Sequence, residues 1–352
     1  MESVFFLGAC SPQGFTSHYG SLLREPLQLN VIKGGSGCGK STFMRRIGRA
    51  AQDRGLDVSY ILCSSDPDSL DGVVIPALET AFVDGTAPHV LEPSLCGGSM
   101  NYVNFGAFYD REAMRKREDE IRAAQALNAA QYPHVTACLA AADKLLDSVR
   151  AVTAADTYTE QTASLAECLA LSVLRPTGES PRTAKRFLSA VTPKGLRFCV
   201  QTPPALCSRV YVLRDNYFLA PRLLARLLEL AQNGGHECIV CHSPLLPEGA
   251  PSHLLLPTVD AAFITETRDF PYDGPCFCRI DLDALVPQET RRSLTFCGKT
   301  VSSLLYQAAA HLREAKRQHD RIEALCRPFV DFEAVDDLTL QTILELFVEK
   351  QD

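Results

Sequence analysis

Residues 34–41 read Gly34-Gly35-Ser36-Gly37-Cys38-Gly39-Lys40-Ser41, with Thr42 next. The spacing Gly-x-x-x-x-Gly-Lys-Ser is that of a phosphate-binding loop. Glycine reaches backbone conformations that other residues avoid, so successive N–H groups can turn inward onto phosphate oxygens. A helix starting directly after the loop adds the positive end of its dipole. On this reading Gly34, Gly35, Ser36, Gly37, Cys38, Gly39, Lys40, Ser41 and Thr42 bind a nucleotide. Lys40 neutralises the β- and γ-phosphates, and the Ser41 hydroxyl ligates Mg²⁺.

A phosphate loop of this kind also needs a carboxylate at the end of a neighbouring strand to hold the metal. Ala81-Phe82-Val83-Asp84 is an apolar run ending in an acid, which makes Asp84 the expected partner of Ser41. The plain alternative is a turn-forming aspartate before Gly85. A second acidic group, Asp66, Asp68 and Asp71, lies in the polar stretch 64–72. In a doubly wound sheet such a loop, following a strand, faces the ligand. Asp66 and Asp71 are therefore candidates for a metal ligand, a general base or a holder of a hydroxyl acceptor; Asp-Pro and Asp-Gly turn chemistry accounts for them as well. His89 is a candidate for the γ-phosphate region.

The elements that must position these groups are legible. Residues 27–32 are short and apolar, strand-like, and residues 42–54 carry Phe43, Ile47 and Ala51 at helical spacing. The loop thus sits between a strand and a helix. Residues 58–63 and 80–83 read as further strands. Residues 111–131, charged and free of Pro and Gly, read as one long helix, and 134–152 and 158–174 as two more. Helices are also predicted near 300–326 and 337–349.

An offset of 181 residues maps Phe6-Leu7-Gly8-Ala9-Cys10-Ser11-Pro12-Gln13-Gly14 onto Phe187-Leu188-Ser189-Ala190-Val191-Thr192-Pro193-Lys194-Gly195. It also maps 75–83 onto 256–264, where Pro, Ala and Phe recur. These matches predict a tandem duplication: 1–178 with the active loop, and 179–352 as a second copy. The second copy has Asp215-Asn216-Tyr217-Phe218-Leu219-Ala220-Pro221-Arg222 where the first has its glycines, lysine and serine. Bulky residues there are expected to resist the cradle conformation, leaving one nucleotide per chain. Arg214 and Arg222 are candidates to reach the first site. The expected architecture is α/β: two P-loop NTPase-like three-layer α/β/α modules, the second with a degenerate loop, each followed by a helical appendage.

Composition fits a globular chain: 352 residues, 46% hydrophobic and 22% charged. A net charge of −7 makes nucleic acid an unlikely general partner. No apolar run approaches the ~18 residues of a membrane span, and Leu7-Gly8-Ala9-Cys10 reads as part of a buried strand, not a lipoprotein box. The expected compartment is the cytoplasm, with the fourteen cysteines as thiols. Cys238-Ile239-Val240-Cys241-His242 has haem-attachment spacing but reads as a strand whose thiols face opposite ways. Cys241, Cys276, Cys278 and Cys297 lack the paired spacing of a zinc site.

The loop, together with Cys63-Ser64-Ser65-Asp66, Ser69-Leu70-Asp71-Gly72, Ile75-Pro76 and Asp84-Gly85-Thr86-Ala87-Pro88-His89, resembles an uncharacterised bacterial family of tandem P-loop ATP-binding proteins. The resemblance covers most of the chain and is closest over 1–110. The family pattern has a loop in each half, so this chain departs from it at 215–222. The resemblance implies ATP binding and hydrolysis. The function expected from the sequence is therefore a Mg²⁺-dependent ATPase. A small-molecule or nucleotide kinase using Asp66 or Asp71 as base is the alternative, and a nucleotide-gated interaction protein with little turnover is the third reading. The absence of an Asn-Lys-x-Asp element leans to ATP over GTP.

Overall fold

In the computed structural model, residues 1–25, 27–88, 90–91 and 98–348 are described. The first half runs β1 (Glu2–Phe5), β2 (Gly8–Ser11), β3 (Gly14–Ser17), α1 (Tyr19–Leu22), β4 (Gln28–Lys33), α2 (Lys40–Gln52), β5 (Val58–Leu62), β6 (Leu70–Ile75), β7 (Thr80–Asp84) and β8 (Met100–Asn104). Helices α3 (Arg111–Arg115), α4 (Glu118–Ala129), α5 (Tyr132–Val152) and α6 (Asp156–Val173) follow. The second half runs β9 (Arg182–Arg186), β10 (Ser189–Thr192), β11 (Gly195–Phe198), α7 (Thr202–Leu206), β12 (Arg209–Arg214), α8 (Ala220–Asn233), β13 (Glu237–Cys241), β14 (His253–Leu256), β15 (Ala261–Glu266) and β16 (Cys278–Asp281). It closes with α9 (Gln288–Ser293), α10 (Thr295–Cys326) and α11 (Phe332–Val348).

The helix expected over 111–131 is broken. Asp110 caps α3 by accepting from the Glu112 and Ala113 N–H groups, and α4 starts afresh on Glu118-Asp119-Glu120, whose charges suit a helix N-terminus. Pro133 lies in the first turn of α5 instead of interrupting a helix. Strand β6 was hidden in sequence by the polar stretch before it.

The described strands form two six-stranded mixed sheets with the same order: β1-β5-β6-β7-β4-β8 and β9-β13-β14-β15-β12-β16. In each, the fourth strand of the order lies parallel to the fifth, and only the third is antiparallel to both its neighbours. The register of β4 with β7 and of β12 with β15 agrees with the 181-residue offset, since Ile32 pairs Asp84 and Leu213 pairs Thr265, whereas β8 and β16 stand 177 residues apart. Hairpins β2–β3 and β10–β11 correspond as well.

Side-chain alternation sorts each strand into two faces. Leu29, Val31, Val74, Ala81 and Val83 of the first sheet share one core with Val210, Val212, Leu255, Ala262 and Ile264 of the second. The opposite faces carry α2 through Phe43, Met44 and Ile47, and α8 through Leu223, Leu224 and Leu227. Each of these large side chains contributes roughly 1.5–3 kcal/mol by leaving water. The expectation of two separate α/β/α modules is thereby corrected: the order is helix, sheet, sheet, helix, because the inner faces bury each other. Phe6 and Phe187, equivalent under the offset, exchange backbone hydrogen bonds of 2.9 and 2.8 Å across this core.

The helices do not stay with the half they follow. Helix α6 packs on α8, and α11 packs on α2, with Arg46 paired to Asp336. Helix α5 packs along α10, and α10 also touches α4. The appendages of the sequence reading are thus exchanged between halves.

Candidate functional site

Strand β4 ends at Lys33 and α2 begins at Lys40, so residues 34–39 form the turn between them. Gly37 and Gly39 take φ of +76° and +93°, the left-handed region that side chains resist. Gly34 is needed for space: a Cβ there would lie 2.6 Å from the Phe105 Cβ. The Tyr109 hydroxyl donates to the Ser36 carbonyl at 2.8 Å and braces the turn. Cys38 is buried, and burial pushes its thiol up, which suits a small filler.

Lys40 Nζ donates to the Gly34 and Gly35 carbonyls, both at 2.8 Å, and lies 3.5 Å from Asp84 Oδ2. Asp84 is buried at the end of β7, the parallel neighbour of β4, and its Oδ1 accepts from the Thr86 N–H and hydroxyl at 2.9 and 2.5 Å. The Ser41 hydroxyl accepts from the Leu70 N–H at 2.9 Å. Because β6 runs antiparallel, its first residues stand at the loop end of the sheet. Gly72 pairs Val83, so one step further Asp71 stands beside Asp84, also buried. The sequence-predicted Lys40, Ser41, Asp71 and Asp84 are thus brought together.

Asp66 and Asp68 are held differently. Asp66 accepts from Ser69 Oγ at 2.9 Å and lies 3.3 Å from Lys316 Nζ of α10. Asp68 is exposed and paired with Lys194 Nζ at 2.5 Å, which lowers its pKa. Both lysines belong to the second half. His89 lies outside the described residues.

These groups line one cleft of about 1740 Å³ with Ser36, Gly37, Gly39, Ser41, Thr42, Asp66 and Asp71 on one wall. Its other wall is α10, with His319, Asp320 and Glu323, and Arg327 directly after its end, joined by Gln125, Asn128 and Tyr132. Sequence reading missed the α10 wall, although residues 316, 320, 323 and 327 have the spacing of one helix face. The donor set suits a polyphosphate carrying a divalent ion. Free N–H groups at a helix start and a lysine would meet phosphate, and Ser41 with Asp84 or Asp71 would offer the hard oxygen ligands that Mg²⁺ prefers.

The second half answers differently at the same place. Asp215 is buried, and its carboxylate accepts from the Tyr217 N–H at 3.0 Å and the Ala220 N–H at 2.7 Å. It occupies the start of α8 as a phosphate would occupy the start of α2. Phe218, equivalent to Gly37, takes φ of +64°. The expectation that bulky residues would refuse this backbone is corrected in part: Phe218 keeps the left-handed position of Gly37, while Ala220, at the place of Gly39, opens the helix instead, and the Asp215 carboxylate accepts from the turn's N–H groups. Arg214 lies within reach of Asp281 and Asp283, and Arg222 donates to the Thr153 carbonyl, so neither lines the cleft.

Burial pushes the Asp215 carboxyl up to about 6. A folded pKa above the unfolded one means that the folded state holds the proton better, so this contribution favours folding at low pH and is lost as pH rises through about 6. The stability of the parent relative to Asp215→Asn should fall by roughly 2 kcal/mol between pH 4 and pH 7. Urea unfolding of both proteins across that range measures it; a flat difference would contradict the assignment.

Among the described residues no disulfide occurs, and no helix is long and apolar enough to cross a membrane. Cys238 and Cys241 are buried on opposite faces of their sheet. No family model, no curated protein and no solved structure matches the chain.

Proposed function

We propose that this chain is a Mg²⁺-dependent ATP-binding protein that hydrolyses ATP, built by tandem duplication, with one nucleotide site. One observation carries the reading. A glycine turn with two left-handed residues enters a helix whose first residue, Lys40, lies 3.5 Å from a buried aspartate on the neighbouring parallel strand. Bound ATP with Mg²⁺ would supply the phosphoanhydride and the cation that spreads its charge. The protein's part is positioning. Backbone N–H groups of residues 34–39 would hold phosphate oxygens, and Lys40 would exchange its loop carbonyls for them. Ser41 and Asp84 would hold the ion, and Asp71 would orient a water or stand as base.

The cleft gives the kinase reading a specific support. Its volume of about 1740 Å³ exceeds the roughly 300–1,000 Å³ typical of a small-ligand site. Room for an acceptor remains beside Asp66 and Asp71. Phosphate release with water alone separates an ATPase from a kinase, which needs the acceptor.

The carboxylate of Asp215 supports a stoichiometry of one. Isothermal calorimetry with ATP and Mg²⁺ should give one nucleotide per chain. A value near two, with the second site surviving Lys40→Ala, would refute the single-site reading.

A further inference from the structure

Helix α10 belongs to the second half, yet one of its faces runs along the glycine loop of the first. Lys316 Nζ lies 3.3 Å from Asp66, and His319 Nε2 lies 3.4 Å from Ser36 Oγ. A Cβ on Gly37 would lie 3.3 Å from the Glu323 Cα. Four residues on, the Arg327 guanidinium sits 5.6 Å from the centre of the Phe332 ring, and that ring is 3.6 Å from where a Gly39 Cβ would be. The loop is thus bordered by the second half from Ser36 to Gly39.

The cations on this cleft differ in their engagement. Lys316 is paired with Asp66 and Asp320, and Arg45 donates to the Asp68 carbonyl at 2.7 Å. Arg327 lines the cleft, is exposed, and among the described residues has neither an ion pair nor a hydrogen-bond acceptor. A guanidinium held over an aromatic ring with its donors free is arranged to receive an anion.

The other half offers a comparison. At β8 and β16 the two halves stand 177 residues apart, and that spacing sets Arg150 of α5 opposite Arg327. Helix α5 reaches the degenerate loop as α10 reaches the glycine loop: Leu146 lines a cavity there with Phe218, and Arg150 lies 5.3 Å from the Phe218 ring. There the arginine is tied to Asp143 and Asp147, whereas Arg327 has no such ion pair among the described residues.

We infer that Arg327, delivered by the second half, is a catalytic residue that contacts the terminal phosphate of the nucleotide bound by the first half. The inference rests on the proposed ATP site and adds the second half's role to it. Charge on the terminal phosphoryl oxygens grows as the bond to the leaving group breaks. A guanidinium there binds the triphosphate better than the diphosphate and favours the transition state further.

Calorimetry and single-turnover hydrolysis on the full chain test it. Arg327→Ala should bind ADP as the parent does, bind a non-hydrolysable ATP analogue about tenfold more weakly, and hydrolyse ATP roughly 10³-fold more slowly. Arg327→Lys should recover part of the analogue affinity and little of the rate, because lysine lacks the planar fork. Parental analogue affinity and turnover in Arg327→Ala, with Lys40→Ala still defective, would overturn the assignment and leave the ATP site standing. A parent that binds no nucleotide would overturn both.

Discussion

Lys40→Ala is expected to abolish turnover and to lower ATP affinity by about ten- to a hundredfold. On the proposed reading the ammonium would make charge-assisted contacts to phosphate in a partly dry cradle, worth roughly 1.5–3 kcal/mol. Its present partners, the Gly34 and Gly35 carbonyls and Asp84, show that Nζ already reaches over the mouth of the turn. The variant should stay folded, since α2 is anchored by Phe43, Met44 and Ile47 from its other side. Calorimetry with ATP and Mg²⁺ checks the affinity, and far-ultraviolet circular dichroism checks the fold. Unchanged affinity would remove the basis for a nucleotide site here.

Asp84→Asn should separate nucleotide from metal. The amide keeps the shape and can still accept from Thr86, but it loses the charge that faces Lys40 and that would hold the proposed ion. Metal-free nucleotide binding should be kept or rise slightly, because a carboxylate beside phosphate is gone. The gain in affinity from Mg²⁺ should shrink, and turnover should fall about a hundredfold or more, on the scale of losing one preorganised charge. Hydrolysis and binding titrations at a series of Mg²⁺ concentrations measure this. Parental Mg²⁺ dependence would transfer the metal role to Asp71, which stands beside Asp84 at the start of β6.

The local parts of this site were legible in the sequence because they are contiguous. The turn from Gly34 to Lys40 and the apolar run ending at Asp84 each carry their own signal. Asp71 was visible as an acid but not as a neighbour of Asp84, since that depends on β6 running antiparallel, and polar residues before Leu70 masked the strand. The α10 wall was unreadable for a further reason. Its charged face looks like any solvated helix face until the chain is folded and the face meets Gly37. The layer order was also hidden: alternation shows an apolar face on β4 through Leu29 and Val31 and on β12 through Val210 and Val212, but not that these two faces meet. In the sequence Asp215 is one acid among bulky residues; only the fold turns its carboxylate onto the N–H groups of Tyr217 and Ala220.

The paired hydrogen bonds between Phe6 and Phe187 have the form of an isologous contact, in which a residue meets its own counterpart across a two-fold axis. In a dimer of separate chains such a contact forms and dissolves with concentration. Here both sides are tethered through the short connection between α6 and β9, so the partner is present at an effective concentration on the order of millimolar at any dilution. The cleft between Gly37 and α10, which draws on both sides of that contact, is thereby assembled in a single molecule.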